Sequence, residues 1–364
     1  MRIAQIAPLI ESVPPRLYGG TERVVSQLTE ELVRQGHDVT LFASGDSRTS
    51  ADLVACSRGA LRLEEDLDDP LAHYTIMLDR VLARMHEFDV LHFHFDYFHF
   101  PAFRPNARRT LTTLHGRLDL PACRTVLSYF HDMPVVSISD AQRRPVPRAN
   151  FVATIHHGIP AALHAPVFEP RGGYLAFLGR ICPEKRVDRA IEIARKAGMK
   201  LKIAAKIDKA DEDYFREHIA RLLEDPGVEF VGEIDERSKS EFLGQALAVI
   251  FPIDWPEPFG LVMIEALACG TPVLAFRCGS TPEIIEPDVT GCIVETVEQA
   301  VASLPRVLAL DRRRIRQRFE ARFTSERMAR DYVAVYRTLM QRGAARDERR
   351  PSEVVAAFEP RSVM

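Results

Sequence analysis

Two glutamates eight positions apart, Glu257 and Glu265, stand in the string Ile253-Asp254-Trp255-Pro256-Glu257-Pro258-Phe259-Gly260-Leu261 and its continuation to Gly270. An apolar run ends at Pro252, and a proline-stiffened loop carries Glu257. A helix predicted over residues 259–268 carries Glu265 on an otherwise apolar face. The unpaired N–H groups at such a helix start bind anions, and Gly260 adds no side chain to hold a ligand away. A phosphate near Phe259, Gly260 and Leu261 would leave Glu257 reaching past it and Glu265 reaching a neighbouring polyol. The alternative for the two acids is a solvated loop residue and a partner of the helix dipole. A second string, Leu178-Gly179-Arg180-Ile181-Cys182-Pro183-Glu184-Lys185, puts Arg180 and Lys185 in the loop after a predicted strand, suited to neutralising a diphosphate. Lys185 is also the first lysine of the chain, a flexible point charge after a long run that uses only arginine. Here the alternative is a pair of surface charges beside Glu184 and Asp188.

In the amino-terminal half, Gly19 and Gly20 open a helix after the first strand, where backbone amides can approach a phosphate or a sugar, or simply make a turn. The spacing is not G-x-G-x-x-G between strand and helix, which disfavours a dinucleotide dehydrogenase. His92, His94, Asp96 and His99 have the residue types of a metal site, but strand alternation puts His92, His94 and Asp96 in a row on one face. Neighbours on one strand do not close a tetrahedron, so a histidine-lined strand end is expected and no metal site is assigned. His115 directly follows a predicted strand and should project from its end; a hydrogen-bonded structural histidine is the alternative reading.

These groups need elements to hold them. Short apolar runs alternate with amphipathic stretches along the chain, the pattern of parallel strands joined by helices, so the class is α/β. Strands are expected at residues 3–8, 38–43, 90–95, 110–114, 135–138 and 152–155. Residues 159–173 hold three prolines and two glycines and suit a linker. A second series follows, with strands at 174–178, 200–205, 228–231, 248–252 and 272–276 and helices at 187–197, 211–223, 238–246 and 259–268. Two Rossmann-like doubly wound parallel sheets would then face a cleft at their strands' carboxyl ends. The expected division is 1–165 and 166–324. One long helix is predicted over 313–340, its part from about 325 to 342 crossing back to the first domain, and a polar tail without fixed structure over 343–364.

The chain has 364 residues, with 48 basic against 51 acidic side chains and a formal charge of −3. No overall field recruits nucleic acid or anionic lipid, so a small-molecule substrate is favoured. Six cysteines without a C-x-x-C pair point to reduced thiols. The start of the chain is too short in apolar residues for a signal core, and no stretch approaches the ~20 of a membrane span. A cytoplasmic location, with association at the inner membrane face left open, is expected.

The string from Glu257 to Glu265, with Pro-Phe-Gly after the first acid and Ala-x-x-x-Gly-x-Pro-Val after the second, resembles the Glu-x7-Glu motif of retaining glycosyltransferases of family four. Residues 179–186 are similar to that family's Gly-Arg-x-x-x-x-Lys-Gly, with Arg186 in place of the last glycine. The resemblance implies the GT-B fold and transfer of a hexose from a nucleotide diphosphate sugar, UDP-glucose or similar, to an acceptor the sequence does not name. It implies Arg180, Lys185 and the helix start on the diphosphate, Glu257 on sugar hydroxyls, Glu265 on the ribose and His115 beside the sugar from the opposite domain. Gly19 and Gly20 then match the family's glycine loop, and Gly232 and Ile234 the segment that reads the base. His157 replaces an asparagine of the family's Asn-Gly-Val-Asp segment. No cofactor is implied, since the nucleotide sugar is a substrate. A related phosphorylase or epimerase, or a silent sugar-nucleotide sensor, stays open as an alternative.

Overall fold

Central strands that read as unbroken apolar runs fold into sheets covered on both faces, because only parallel sheets under helices bury both sides. The computed structural model describes residues 1–16, 19–64, 67 and 69–347, with the backbone alone for 342–347. The first sheet contains β1 Arg2–Ile6, β2 Asp38–Ser44, β3 Asp52–Ser57, β4 Val90–Phe93, β5 Thr110–Thr113, β6 Val135–Ser137 and β7 Phe151–Thr154. Its order is β3-β2-β1-β4-β5-β6-β7. The second contains β8 Tyr174–Arg180, β9 Lys200–Lys206, β10 Val228–Gly232, β11 Ala248–Phe251, β12 Val273–Phe276 and β13 Gly291–Val294, in the order β10-β9-β8-β11-β12-β13. All pairings are parallel, with Ile3 opposite Val90 and Ala248 opposite Leu175 at the two centres. The α/β class with two doubly wound sheets is the one expected. The edge strand β3 and the last strand β13 were not foreseen; β3 carries its charged end at the surface, and β13 has only four residues.

Both sheets reverse strand order once, between β1 and β4 and between β8 and β11, and ligands of such sheets bind outside the carboxyl ends at these points. The loops leaving β1, β4, β8 and β11 therefore set the site.

The predicted single helix over 313–340 is two helices, Arg312–Arg322 and Ser325–Asp347. The break has a backbone cause. Ile159 N–H donates to the Phe323 carbonyl at 2.9 Å, and Ser325 N–H donates to the Ile159 carbonyl at 2.9 Å, so the linker takes up bonds the helix would have used. Gly158 permits this approach: a Cβ there would lie 2.2 Å from the Thr324 carbonyl oxygen. The second helix then returns to the first domain, where Met328, Tyr332 and Tyr336 pack with Val24 and Leu28 against Ile3 and Val90. Each fully buried apolar side chain of this kind contributes roughly 1.5–3 kcal/mol, which holds the crossover helix to a sheet that the second domain separates from it in sequence. The helix runs past the expected limit of 342 to Asp347, and the remainder of the predicted tail lies outside the described residues. The stretch expected as a helix over 211–223 is a sequence of short 3₁₀, α and π turns. Among the described residues no helix is long and apolar enough to cross a membrane.

Candidate active site at the interdomain cleft

A cavity of about 450 Å³ opens between the carboxyl ends of the two sheets. Gly19, Gly20 and His115 line it from the first domain, and Arg180, Lys185, Ile234, Glu257, Phe259, Gly260, Leu261 and Glu265 from the second. Of the residues singled out in the sequence, Gly232 is not in this lining; it ends β10 with φ 81°, and its neighbour Glu233 reaches the cavity instead.

On the second-domain wall, Lys185 Nζ forms an ion pair with Glu257 Oε2, and Trp255 Nε1 donates to the same oxygen at 2.9 Å. The ammonium also lies 5.2 Å from the centre of the Trp255 ring, within cation–π range. Arg180 reaches Asp208 at 3.3 Å and Asp211 at 3.5 Å. The Glu257 loop rests on residues 278–280. Cys278 Sγ donates to the Trp255 carbonyl at 2.8 Å, Ser280 N–H to the Glu257 carbonyl at 3.0 Å, and Ser280 Oγ to the Phe259 carbonyl at 2.7 Å. Gly279 is required between them, because a Cβ would sit 2.4 Å from Glu257 N and O. The helix expected from residue 259 begins at Leu261: Pro258 keeps the chain extended, and Gly260 at φ 82° turns it into the first turn. No side chain caps that turn, and Gly260, Leu261 and Val262 line the cavity.

Glu265, 2% exposed, accepts from Lys239 Nζ at 2.8 Å. Burial alone would raise its carboxyl, but Lys239, His164 and Arg23 outweigh it and hold the pKa below the usual carboxylate range. Arg23, from the first helix Gly20–Arg34, pairs with Glu236 of the second domain, and Lys239 lies 3.3 Å from that same carboxylate. Sequence reading missed Lys239, which sits in an ordinary polar helix, Glu236–Gln245. His164, Glu236 and Glu265 have the spacing of metal ligands, yet Lys239 and Arg23 already hold the two carboxylates, and a divalent ion would meet two cations there.

The opposite wall is built on histidines. His115 Nε2 lies 3.1 Å from His94 Nδ1, and its ring stacks on His157 at 5.2 Å and 19°. His157 in turn meets the Phe259 ring edge-on at 4.9 Å, joining the walls. Burial pushes the His115 pKa down to about 3, so the ring is neutral at physiological pH. His92 and His94 share a face as alternation requires, with rings 4.0 Å apart, but each is hydrogen-bonded to protein. His99 points to the other side, stacked on Phe93 at 3.8 Å and bonded to Thr112.

The family model for Glycosyl transferases group 1 matches residues 165–322, and that for Glycosyltransferase Family 4 matches residues 18–144. The chain belongs to the family four glycosyltransferases. D-inositol 3-phosphate glycosyltransferases of Mycobacterium tuberculosis and Mycobacterium bovis are 31% identical to this chain over 209 residues, covering 54% of it and 43% of theirs. The match thus spans less than half of those relatives. Sucrose-phosphate synthase from Thermosynechococcus elongatus superposes with a TM-score of 0.77 at 21% identity, over 94% of this chain and 99% of that one. AviGT4, a glycosyltransferase involved in avilamycin A biosynthesis, gives 0.71 at 24%, over 93% and 98%. Anabaena HepE in complex with UDP and glucose gives 0.67 at 18%, over 93% and 100%. These structures share the two facing parallel-sheet domains of the GT-B fold.

Arg186 occupies the position that motif resemblance gives to glycine, and it stands in the left-handed region at φ 53°, ψ 50°. Its guanidinium bonds Asp188 at 2.9 Å and Asp254 at 2.8 Å, with Arg189 also on Asp254 at 3.1 Å. The Lys185 loop and the Glu257 loop are tied together by these contacts.

Proposed function

We propose that this glycosyltransferase moves a hexose from a nucleotide diphosphate sugar, UDP-glucose or a close analogue, to a small-molecule, lipid or glycan acceptor, with retention at the anomeric carbon. The observation that carries this reading is the convergence of Arg180, Lys185, Glu257, Glu265 and an uncapped helix start on one wall, with His115 facing them from the other. The sugar–diphosphate bond breaks with charge building on the leaving oxygens, and positive groups fixed in advance stabilise that charge most. Arg180, Lys185 and the amides at Leu261 have this role. The cations are already oriented by their acidic partners, so they need not reorganise when the diphosphate arrives. Glu257 takes hydroxyls of the sugar, Glu265 takes hydroxyls of the ribose, and His115 meets the sugar from the acceptor side. Glu233 and Ile234 flank the base, and Gly19 and Gly20 border the space left for the acceptor. Neither cofactor nor metal is needed in this scheme. The HepE complex with UDP and glucose supports a sugar-nucleotide donor, and the D-inositol 3-phosphate glycosyltransferases support glycosyl transfer.

Calorimetric titration with a panel of nucleotide diphosphate sugars, followed by mass spectrometry and anomeric coupling constants of products, tests the reading. Binding of at least one such donor and a product with the donor's own configuration are expected. Inversion, or no affinity for any nucleotide diphosphate sugar, overturns it.

A further inference from the structure

Glu283 belongs to the second domain, in the short helical turn Thr281–Ile284, yet its carboxylate is bonded to the first. Its Oε2 accepts from the Asp140 amide at 2.7 Å and its Oε1 from the Ala141 amide at 2.7 Å. Oε2 also lies 3.2 Å from Nε2 of His156, beside the point where Gly158 lets the linker meet Thr324. Asp140 and Ala141 open the helix Asp140–Arg143, and the first amides of a helix have no partner within it. Ser139 Oγ accepts from the Gln142 amide at 3.0 Å, so the acid from the other domain completes that turn. Bonds from amides to a carboxylate are among the stronger hydrogen bonds of a protein. Burial alone would raise the Glu283 carboxyl, but His156 and the two amides outweigh it and hold its pKa below the usual carboxylate range.

Each end of this contact is tied to one wall of the cleft. On the first-domain side, the buried Gln142 accepts from the Ile138 amide at 2.9 Å and donates to the carbonyls of Leu114 at 2.8 Å and Gly116 at 2.7 Å, the residues on either side of His115. On the second-domain side, Ser280 opens the Glu283 turn and bonds the carbonyls of Glu257 and Phe259, while Arg322 Nη2 donates to the carbonyl of Glu283 itself at 2.5 Å. We propose that Glu283 is a positioning residue that sets the spacing between the His115 loop and the Glu257 loop, by gripping the main chain of the first domain from the turn on which the Glu257 loop rests. The effect on transfer rests on the donor reading above; the spacing does not. Arg23 with Glu236 also joins the domains, but through two long side chains that can follow each other as the walls move. Glu283 holds backbone on the far side and is fastened through its own backbone on the near side, so less of any movement is absorbed. It also stands beside the linker, where a small change in angle is enlarged across the cleft.

The test begins without ligand. Trp255, the one tryptophan of the chain, lines the second-domain wall, and the Arg117 guanidinium of the first domain lies 5.8 Å from its ring, so its fluorescence reports the spacing. Glu283→Ala should move the emission maximum to longer wavelength as the ring gains water. With UDP-glucose its kcat should fall on the order of 10²-fold, the scale of a misplacement of about 1 Å. The Kd for UDP should stay at the wild-type value, because the proposed nucleotide contacts lie in the second domain. Glu283→Gln keeps a single acceptor and should fall between Glu283→Ala and wild type in both readouts. Ala141→Pro deletes one amide donor where the first turn of a helix tolerates proline, and should shift emission and kcat in the same direction. Combined with Glu283→Ala it should add little, since both remove one interaction. A Glu283→Ala protein with wild-type emission and kcat overturns the proposal. So does a loss of UDP affinity as large as the loss of kcat, or full additivity with Ala141→Pro. Should Glu283→Ala fail to fold, Ala141→Pro decides by the same two readouts. The expected emission shift in a protein whose wild type transfers from no nucleotide sugar would instead overturn the donor reading alone.

Discussion

Lys185 and Glu257, 72 positions apart, meet as an ion pair on the cavity wall, and Trp255 holds the same carboxylate oxygen through its indole N–H. The basic group assigned to the diphosphate and the acid assigned to the sugar are therefore one unit. Glu265 belongs to a separate unit with Lys239, deeper in the wall.

This separation gives the two acids different kinetic signatures. Ribose does not change charge during transfer, so Glu265→Gln removes mostly uniform binding and should raise the donor KM more than it lowers kcat. On the proposed reading Glu257 is level with the reacting sugar, where hydrogen bonds tighten as the ring distorts. Glu257→Gln should lower kcat on the order of 10²-fold, the scale of one transition-state contact, with nucleotide diphosphate affinity near wild type. Titration of both variants with UDP alone checks this: loss of UDP binding in Glu257→Gln but not in Glu265→Gln would reverse the roles.

Arg186 offers a stability prediction. A non-glycine residue in the left-handed region costs about 1 kcal/mol, and its ion pairs to half-exposed Asp188 and exposed Asp254 contribute about 1 kcal/mol or less each. Arg186→Gly loses the pairs but relieves the backbone, whereas Arg186→Ala loses the pairs and keeps the strain. Urea denaturation should place Arg186→Ala below Arg186→Gly by about 1 kcal/mol. Equal midpoints would show that the backbone at this loop relaxes freely.

The second-domain wall of the cavity was legible because its residues lie in contiguous strings, each a strand end, a loop and a helix start, so local chemistry and local geometry coincide. Arg180 with Lys185 and Glu257 with Glu265 are such cases. Gln142 and Glu283 are not: 143 positions separate Asp140 from Glu283, each reads alone as an ordinary polar residue, and only the packing of the two domains joins them. Lys239 was invisible for the same reason. The two helix boundaries that moved, at Leu261 and at Phe323, depend on a left-handed glycine and on backbone bonds to Ile159, and neither leaves a periodicity to read.

Metal ions should not be needed for turnover. The groups proposed to face the diphosphate are Arg180, Lys185 and helix amides, and the one carboxylate–histidine group with ligand spacing among the described residues already holds Lys239 and Arg23. Initial rates measured with excess EDTA should match those without it. A rate abolished by chelator and restored by manganese or magnesium would transfer the electrostatic role from these residues to an ion.

Acid should destabilise the first domain well before its carboxylates titrate. Burial holds His92, His94, His99 and His157 well below the usual histidine value, His115 at about 3, and His164, in the linker, at about 4. In the unfolded chain these rings take up protons near pH 6.5. Between that value and the folded pKa the unfolded state binds more protons, so stability rises with pH across this window and is lost as pH falls through it, by about 1.4 kcal/mol per pH unit for each such histidine. Melting temperature should be level from pH 8 to 7 and drop steeply below about 6.5. Replacing one contributor away from the cleft separates this from a general acid effect. His99, stacked on Phe93 and bonded to Thr112, is suitable, and His99→Gln should lower stability at pH 7 yet flatten the acid slope by the equivalent of about one proton. A melting temperature unchanged from pH 7 to pH 5, or a His99→Gln profile parallel to wild type, would mean that these histidines already sit protonated in the fold.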